Sequence, residues 1–94
     1  MKLIWTRLAH IDRAAIRTYI AQDNPAAALA LDTVFSRRTR QLIAHPDIGR
    51  PGRVAGTREL VVHENFIVVY DVAGDLVRIL RILHAARQWP PSNE

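Results

Sequence analysis

The sequence predicts an α+β fold, in which a two-helix antiparallel hairpin packs on a small, mainly antiparallel twisted sheet of about four strands. Three observations predict it. Two stretches with apolar residues at helical spacing follow one another across a short polar break. Three later apolar runs, separated by turn-forming residues, have the length and alternation of strands. A further short apolar segment opens the chain.

That opening segment, Lys2 to Trp5, is the expected first strand. Thr6 then offers a hydroxyl at a helix N-cap. Leu8, Ile11, Ala15, Ile16, Tyr19 and Ile20 recur at helical spacing, so residues 7–21 read as an amphipathic helix. Its other face carries Arg7, Asp12, Arg13 and Arg17. Asp23-Asn24-Pro25 ends this helix and starts the next. Asn24 is placed to cap, and Pro25 suits a first turn that needs no backbone donor. Ala28, Leu31, Phe35 and Leu42 form the apolar stripe of a second helix over residues 25–44, about 30 Å long at 1.5 Å per residue. The short break between the helices implies that they run antiparallel.

Residues 46–57 contain Pro46, Gly49, Pro51, Gly52 and Gly56, and read as a loop that carries Arg50 and Arg53. Strands follow at 58–63, 66–72 and 76–84, the last two joined by a tight turn at Ala73-Gly74-Asp75. Phe66, Val68, Tyr70 and Val72 share one face of the middle strand, and Ile67, Val69 and Asp71 the other, so this strand is expected to be internal. In the last strand regular alternation puts Arg81 on the face of Val77, Ile79 and Leu83. An arginine in such a row must lie at its rim or be paired, with Asp71 or Asp75 as the expected partners. Residues 1–89 read as a single domain, and Pro90 to Glu94 as a disordered tail.

Composition narrows the function classes. The 94 residues are 49% hydrophobic and 23% charged, the balance of one globular domain with a modest core. The apolar runs are too short to span a membrane. The N-terminus lacks the apolar stretch of a signal peptide, so the expected location is cytoplasmic. With no cysteine, disulfides, thiol nucleophiles and thiolate metal sites are excluded. His10, His45, His63 and His84 show no paired ligand spacing, so neither a metal nor a cofactor is expected. Thirteen basic residues oppose nine acidic ones, and twelve of the thirteen are arginine. Arginine suits bidentate contacts with phosphate or carboxylate. Genome composition alone produces such a bias too, but does not explain where the arginines fall.

The order of elements, together with His45-Pro46 to Arg50, Val54-Ala55-Gly56-Thr57-Arg58-Glu59-Leu60, Tyr70-Asp71-Val72 and Ile82-Leu83-His84-Ala85-Ala86-Arg87, resembles the RelE/ParE superfamily of type II toxin–antitoxin toxins. Each segment is weak alone; in this order they are fairly specific. The last, running on into Gln88-Trp89-Pro90, is most like the ParE branch. The resemblance implies a growth-inhibiting toxin bound by a cognate antitoxin in a hetero-oligomer, with DNA gyrase as the ParE-like target. The alternative it implies is a RelE-like endonuclease that cuts mRNA on the ribosome. RelE-like ribonucleases use a lysine and arginine cluster with a tyrosine near the C-terminus. Here Lys2 is the one lysine and Tyr70 the last tyrosine. YoeB-like members use a glutamate, a histidine and a terminal tyrosine, and no tyrosine follows His84. Neither set carries over intact, which favours the ParE-like reading. A basic binding module without toxicity is a third class.

Residue chemistry supplies the candidates. Cleavage through the RNA 2′-hydroxyl needs a base, an acid and charge stabilisation. If the chain is a ribonuclease, His84 is the candidate acid or base, and Arg58, Arg81 and Arg87 hold the phosphate. Glu59 is either a base or an arginine's partner. As target-binding residues the sequence offers Arg53, Arg58, Arg81 and Arg87, which meet at one end of the sheet only if the strand order permits it, as the resemblance implies. As antitoxin-binding residues the resemblance points to Leu8, Ile11, Leu31 and Phe35 along the helical seam. The plainer readings are a strand-end histidine bonded to backbone for His84, a solvated Arg87 and an ion-paired Arg81. Trp5 and Trp89 are expected to pack rather than stack on bases, and Tyr19 and Tyr70 to lie in the core. Arg37, Arg38 and Arg40 near the end of the second helix complement its dipole.

Overall fold

The structure, a computed structural model, describes residues 1–85. The expectations for Arg87, Trp89 and the 90–94 tail lie outside these residues. Its elements are β1 (Lys2–Trp5), α1 (Arg7–Ala21), α2 (Pro25–Ala44), β2 (Arg50–Pro51), β3 (Arg58–His63), β4 (Phe66–Ala73) and β5 (Leu76–His84). The strands form one sheet in the order β1-β5-β4-β3-β2. β1 runs parallel to β5, and the other pairs are antiparallel. β4 is internal, as its two apolar faces require. The fifth strand, β2, comes from the arginine loop: Arg50 pairs with Glu59 and Pro51 with Arg58.

Local chemistry sets the helix ends. The Thr6 hydroxyl accepts the Ala9 N–H at 3.3 Å and donates to the Leu80 carbonyl at 3.1 Å, so the α1 cap is also a tie to β5. Asn24 accepts the Ala27 N–H at 3.0 Å, and Pro25 occupies the first turn of α2. Between β4 and β5, Ala73 pairs with Leu76 across Gly74-Asp75. Gly74 has φ +61°, which suits glycine at the first position of a two-residue hairpin turn.

The helices cover one face of the sheet. Ala9, Leu31, Phe35 and Leu42 pack there on Leu60, Val62, Phe66, Val68, Tyr70, Val77, Ile79 and Ile82. Phe35 meets Phe66 edge to face, with ring centroids 5.9 Å apart. Thr39, fully buried in α2, satisfies its hydroxyl on the Phe35 carbonyl at 2.7 Å.

Two details depart from regular alternation. Val69 pairs with Arg81 but Tyr70 with Ile79, so Leu80 is an extra residue in β5. This bulge carries Ile82 into the core row of Val77 and Ile79, where an unbroken strand would put Leu83. On α1 the apolar residues also divide. Ala9, Ile16 and Ile20 meet the core, while Leu8, Ile11 and Tyr19 lie roughly 100° round the helix and are exposed. Tyr19 is therefore not a core residue, being 74% exposed; Tyr70 is fully buried.

Candidate functional site

Three side chains of β3 and β4 clamp the arginine loop. The buried Tyr70 hydroxyl donates to the Pro46 carbonyl at 2.7 Å and accepts the Gly49 N–H at 2.9 Å. Burial pushes the Tyr70 phenol above its usual range. Gly49 has no room for more: a Cβ there would sit 2.6 Å from the Tyr70 oxygen. The Arg58 guanidinium donates to the Gly49 carbonyl at 2.8 Å and the Asp47 carbonyl at 3.3 Å. Glu59, only 3% exposed, accepts the Arg50 guanidinium at 3.2 Å and the Arg53 N–H at 3.1 Å. Glu59 is thus an arginine's partner, which a buried carboxylate requires. Arg50 and Arg53 are left about half exposed on a loop held from beneath.

The pairing register puts Arg81, Val69, Glu59 and Arg50 in one row across four strands. The row does not make an arginine cluster, because each cation turns to a different partner. Arg81 pairs with neither Asp71 nor Asp75. Its Nε lies 2.8 Å from an Asp12 oxygen and its terminal nitrogen 3.1 Å from the other. Asp12 also accepts the Ile82 N–H at 3.0 Å. It can do so because β1 ends opposite Ile79, which leaves the rest of β5 open to α1. Asp71 is taken by Arg78, whose Nε donates to it at 2.8 Å. Arg58 turns toward the Pro46–Gly49 segment instead.

His84 stands apart from these groups. It pairs with Phe66, and the two rings meet edge to face at 5.5 Å. Arg58 pairs with Tyr70, four residues further along β4 and two strands away from His84. At about 3.3 Å per residue and 4.8 Å per strand, their backbones are roughly 16 Å apart. The expected meeting of Arg53, Arg58 and Arg81 at one end is therefore corrected: the described members are separately engaged, and Arg87 lies outside the described residues.

On the helical hairpin, Leu8 and Ile11 are exposed, but Leu31 and Phe35 are not. Both turn into the core against the sheet, so the expectation that they contact an antitoxin is corrected. The outer seam is polar at its centre. Arg13 donates to the Asp32 carboxylate at 2.8 Å, the Asp32 carbonyl at 2.9 Å and Ser36 at 2.6 Å, with Trp5 4.7 Å from its guanidinium. The Arg13 hydrogen bond lowers the Asp32 carboxyl below its usual value. Arg38 bonds Gln41 and the Val61 carbonyl, while Arg37 and Arg40 are exposed. Among the described residues no three His, Cys, Asp or Glu side chains gather as metal ligands. No helix among them is long and apolar enough to cross a membrane.

Sequence reasoning missed Asp12 as the partner of Arg81 and Tyr70 as the anchor of the loop. The available signal for Asp12 was an acid on a helix face otherwise rich in arginine. For Tyr70 it was a phenol among apolar neighbours, which needs a polar partner when buried.

Comparison with known proteins adds sequence and fold evidence. The model of the ParE toxin of the type II toxin–antitoxin system parDE matches residues 3–89. Toxin RelE2 of Caulobacter vibrioides is 41% identical over 86 residues, which cover 92% of this chain and 97% of that protein. A chain of a chromosomal ParDE toxin–antitoxin system from P. aeruginosa superposes with a TM-score of 0.81 at 32% identity, over 89% of this chain and 95% of that one. A YoeB/ParE toxin from Agrobacterium tumefaciens, 20% identical, shares the fold with a TM-score of 0.64 over 89% of this chain and 98% of that one.

Proposed function

Because the chain belongs to the ParE toxin family of type II toxin–antitoxin systems, we propose that it arrests growth as a ParE-like toxin, with DNA gyrase as its target, and that a cognate antitoxin neutralises it. Membership makes it the toxin component of such a module; the ParE-like action and the target are the proposal. The observation that carries it over an mRNA endonuclease is the scatter of the ribonuclease candidates. Arg58 holds loop carbonyls, Arg81 binds Asp12, Glu59 is buried beneath Arg50 and Arg53, and His84 packs on Phe66. A single phosphate could not meet a base, an acid and two guanidinium groups so placed without rearrangement. A toxin that acts by binding needs no such convergence. In this reading Arg53 and Arg87 remain target-facing candidates and Arg50 joins them, while Arg58 and Arg81 support the fold.

Induced expression with separate readouts tests the proposal. Growth arrest with a DNA-damage response, gyrase-dependent DNA cleavage by the purified toxin, and intact translation are expected. Cleaved mRNA on ribosomes, abolished by His84→Ala in a chain that still binds its antitoxin, would replace this reading with the endonuclease.

A further inference from the structure

The arginine loop holds more positive charge than the burial of Glu59 calls for. Arg50 donates to one Glu59 oxygen at 3.2 Å, and Arg53 Nε lies 4.0 Å from the other. A single cation and the Arg53 N–H at 3.1 Å would satisfy this carboxylate, yet two guanidinium groups border it. The surplus is one positive charge, and it lies at the surface. The Arg50 and Arg53 side chains are 57% and 50% exposed. Among the described residues Arg50 commits a single N–H to Glu59, and the Arg53 guanidinium makes only its 4.0 Å contact. The remaining N–H donors of both are left for a ligand.

The backbone beneath these arginines is fixed at both ends. The Gly52 N–H donates to the Thr57 carbonyl at 2.8 Å, and the Thr57 N–H and hydroxyl donate to the Val54 carbonyl at 3.1 and 2.7 Å. A Cβ at Gly52 would sit 2.2 Å from the Thr57 hydroxyl, so the loop packs closely on itself. Tyr70 and Arg58 hold the other end at Gly49. Arginines placed before a ligand arrives lose less freedom on binding than arginines on an open loop. Past the end of β2, β3 runs on, and there Arg38 donates to the Val61 carbonyl at 3.2 Å. Val61 lies roughly 7 Å along the strand from Glu59. The cations thus follow the edge of the sheet as a line, a form that suits a chain of anions.

We infer that Arg50 and Arg53 bind the phosphodiester backbone of duplex DNA, with Glu59 as the residue that positions them. This deepens the gyrase-directed reading proposed above, on which the choice of DNA as the source of the phosphodiester rests. A phosphodiester carries one negative charge, equal to the surplus, on two free oxygens that diverge from the phosphorus. Two guanidinium groups flanking one point can each take one of those oxygens, whereas a planar carboxylate is matched by one guanidinium alone. Contacts to the backbone position a duplex without reading its bases, so the binding is independent of sequence.

Fluorescence anisotropy of a labelled DNA duplex with the purified toxin, over a range of salt, tests this. Arg50→Gln and Arg53→Gln are each expected to weaken binding about tenfold at low salt, and to make the slope of log affinity against log salt shallower by about one unit, whatever the duplex sequence. Arg17→Gln, an equal charge change on α1, is expected to stay within about twofold of the parent. Should Arg50→Gln unfold, Arg53→Gln decides, because the Arg53 hydrogen bond to Glu59 comes from the backbone. A glutamate-rich peptide is expected not to displace the duplex; displacement would assign the site to an acidic protein segment instead. Affinity for gyrase without DNA is expected to be unchanged in both arginine variants, while gyrase-dependent DNA cleavage falls. Loss of that affinity would place the arginines on gyrase itself and overturn the inference. A parent that fails to bind the duplex at low salt, or three variants weakened alike, would overturn it too and leave the gyrase reading standing. If the arginine variants lose DNA as expected but the parent gives no gyrase-dependent cleavage, the phosphodiester site stands and the gyrase reading falls.

Discussion

Removing the Asp12 carboxylate is expected to destabilise the chain more than removing the arginine it binds. Asp12 joins α1 to β5 through two bonds from Arg81 and one from the Ile82 N–H. In Asp12→Ala the Ile82 N–H loses its acceptor, at about 1–2 kcal/mol for a donor shielded from water. Arg81 loses this ion pair as well, but its side chain is 29% exposed and the pair is partly screened by solvent, so that part is worth about 1 kcal/mol or less. The expected total is about 1–3 kcal/mol, or roughly 5–20 °C in Tm for a chain of this size. Asp12→Asn keeps an oxygen for Ile82 and loses only the charge, so it is expected to cost about 1 kcal/mol. Arg81→Ala is expected to cost about the same, because Asp12 stays bonded to the strand. Urea unfolding followed by tryptophan fluorescence measures the series, with unchanged m-values confirming comparable states. The expected order is parent, then Asp12→Asn and Arg81→Ala together, then Asp12→Ala. An Asp12→Ala variant no less stable than Arg81→Ala would refute the claim that this carboxylate stands in for a missing neighbouring strand.

Three further outcomes follow from the loop clamp and the hairpin. Tyr70→Phe leaves the buried Gly49 N–H and the Pro46 carbonyl without their partner, and is expected to lose about 1–3 kcal/mol in urea unfolding. The raised pKa of Tyr70 means the folded state holds its proton longer, so this contribution is constant below about pH 10 and declines above it. Stability measured from pH 8 to 11 should show a shallower alkaline decline in Tyr70→Phe. Gly49→Ala forces a methyl against the Tyr70 ring and is expected to cost about 1–3 kcal/mol, with smaller loss when Tyr70→Ala makes room. The lowered Asp32 pKa stabilises the fold above the unfolded value of 3.8, and that stabilisation is lost as pH falls below it. Asp32→Asn should therefore be less stable at neutral pH and lose less on acidification, as read from unfolding at pH 3 and pH 7.

The element order was legible in the sequence because each boundary carries its own local chemistry. Thr6 and Asn24-Pro25 mark helix starts, Gly74 marks the hairpin, and apolar alternation marks β4 as internal. These signals act over a few residues, so they survive without knowledge of the tertiary structure. The partners of the polar groups were not legible, since they depend on which strands neighbour one another. β1 lies beside β5, 74 residues later in the chain, and stops opposite Ile79. Only that arrangement opens the end of β5 to Asp12 and takes Arg81 away from Asp71. Only the Leu80 bulge moves Ile82, rather than Leu83, into the core, and one inserted residue reverses every later side chain. The same limit governed the candidate sites. The sequence by itself determined an α+β chain rich in arginine, with apolar stripes on both helices. The tertiary structure decided that Leu31 and Phe35 face the core while Leu8 and Ile11 do not, and that the arginines are held by separate partners. The physical reason is that a stripe or a charge is a property of residues near in sequence, whereas burial and pairing belong to surfaces brought together from far along the chain.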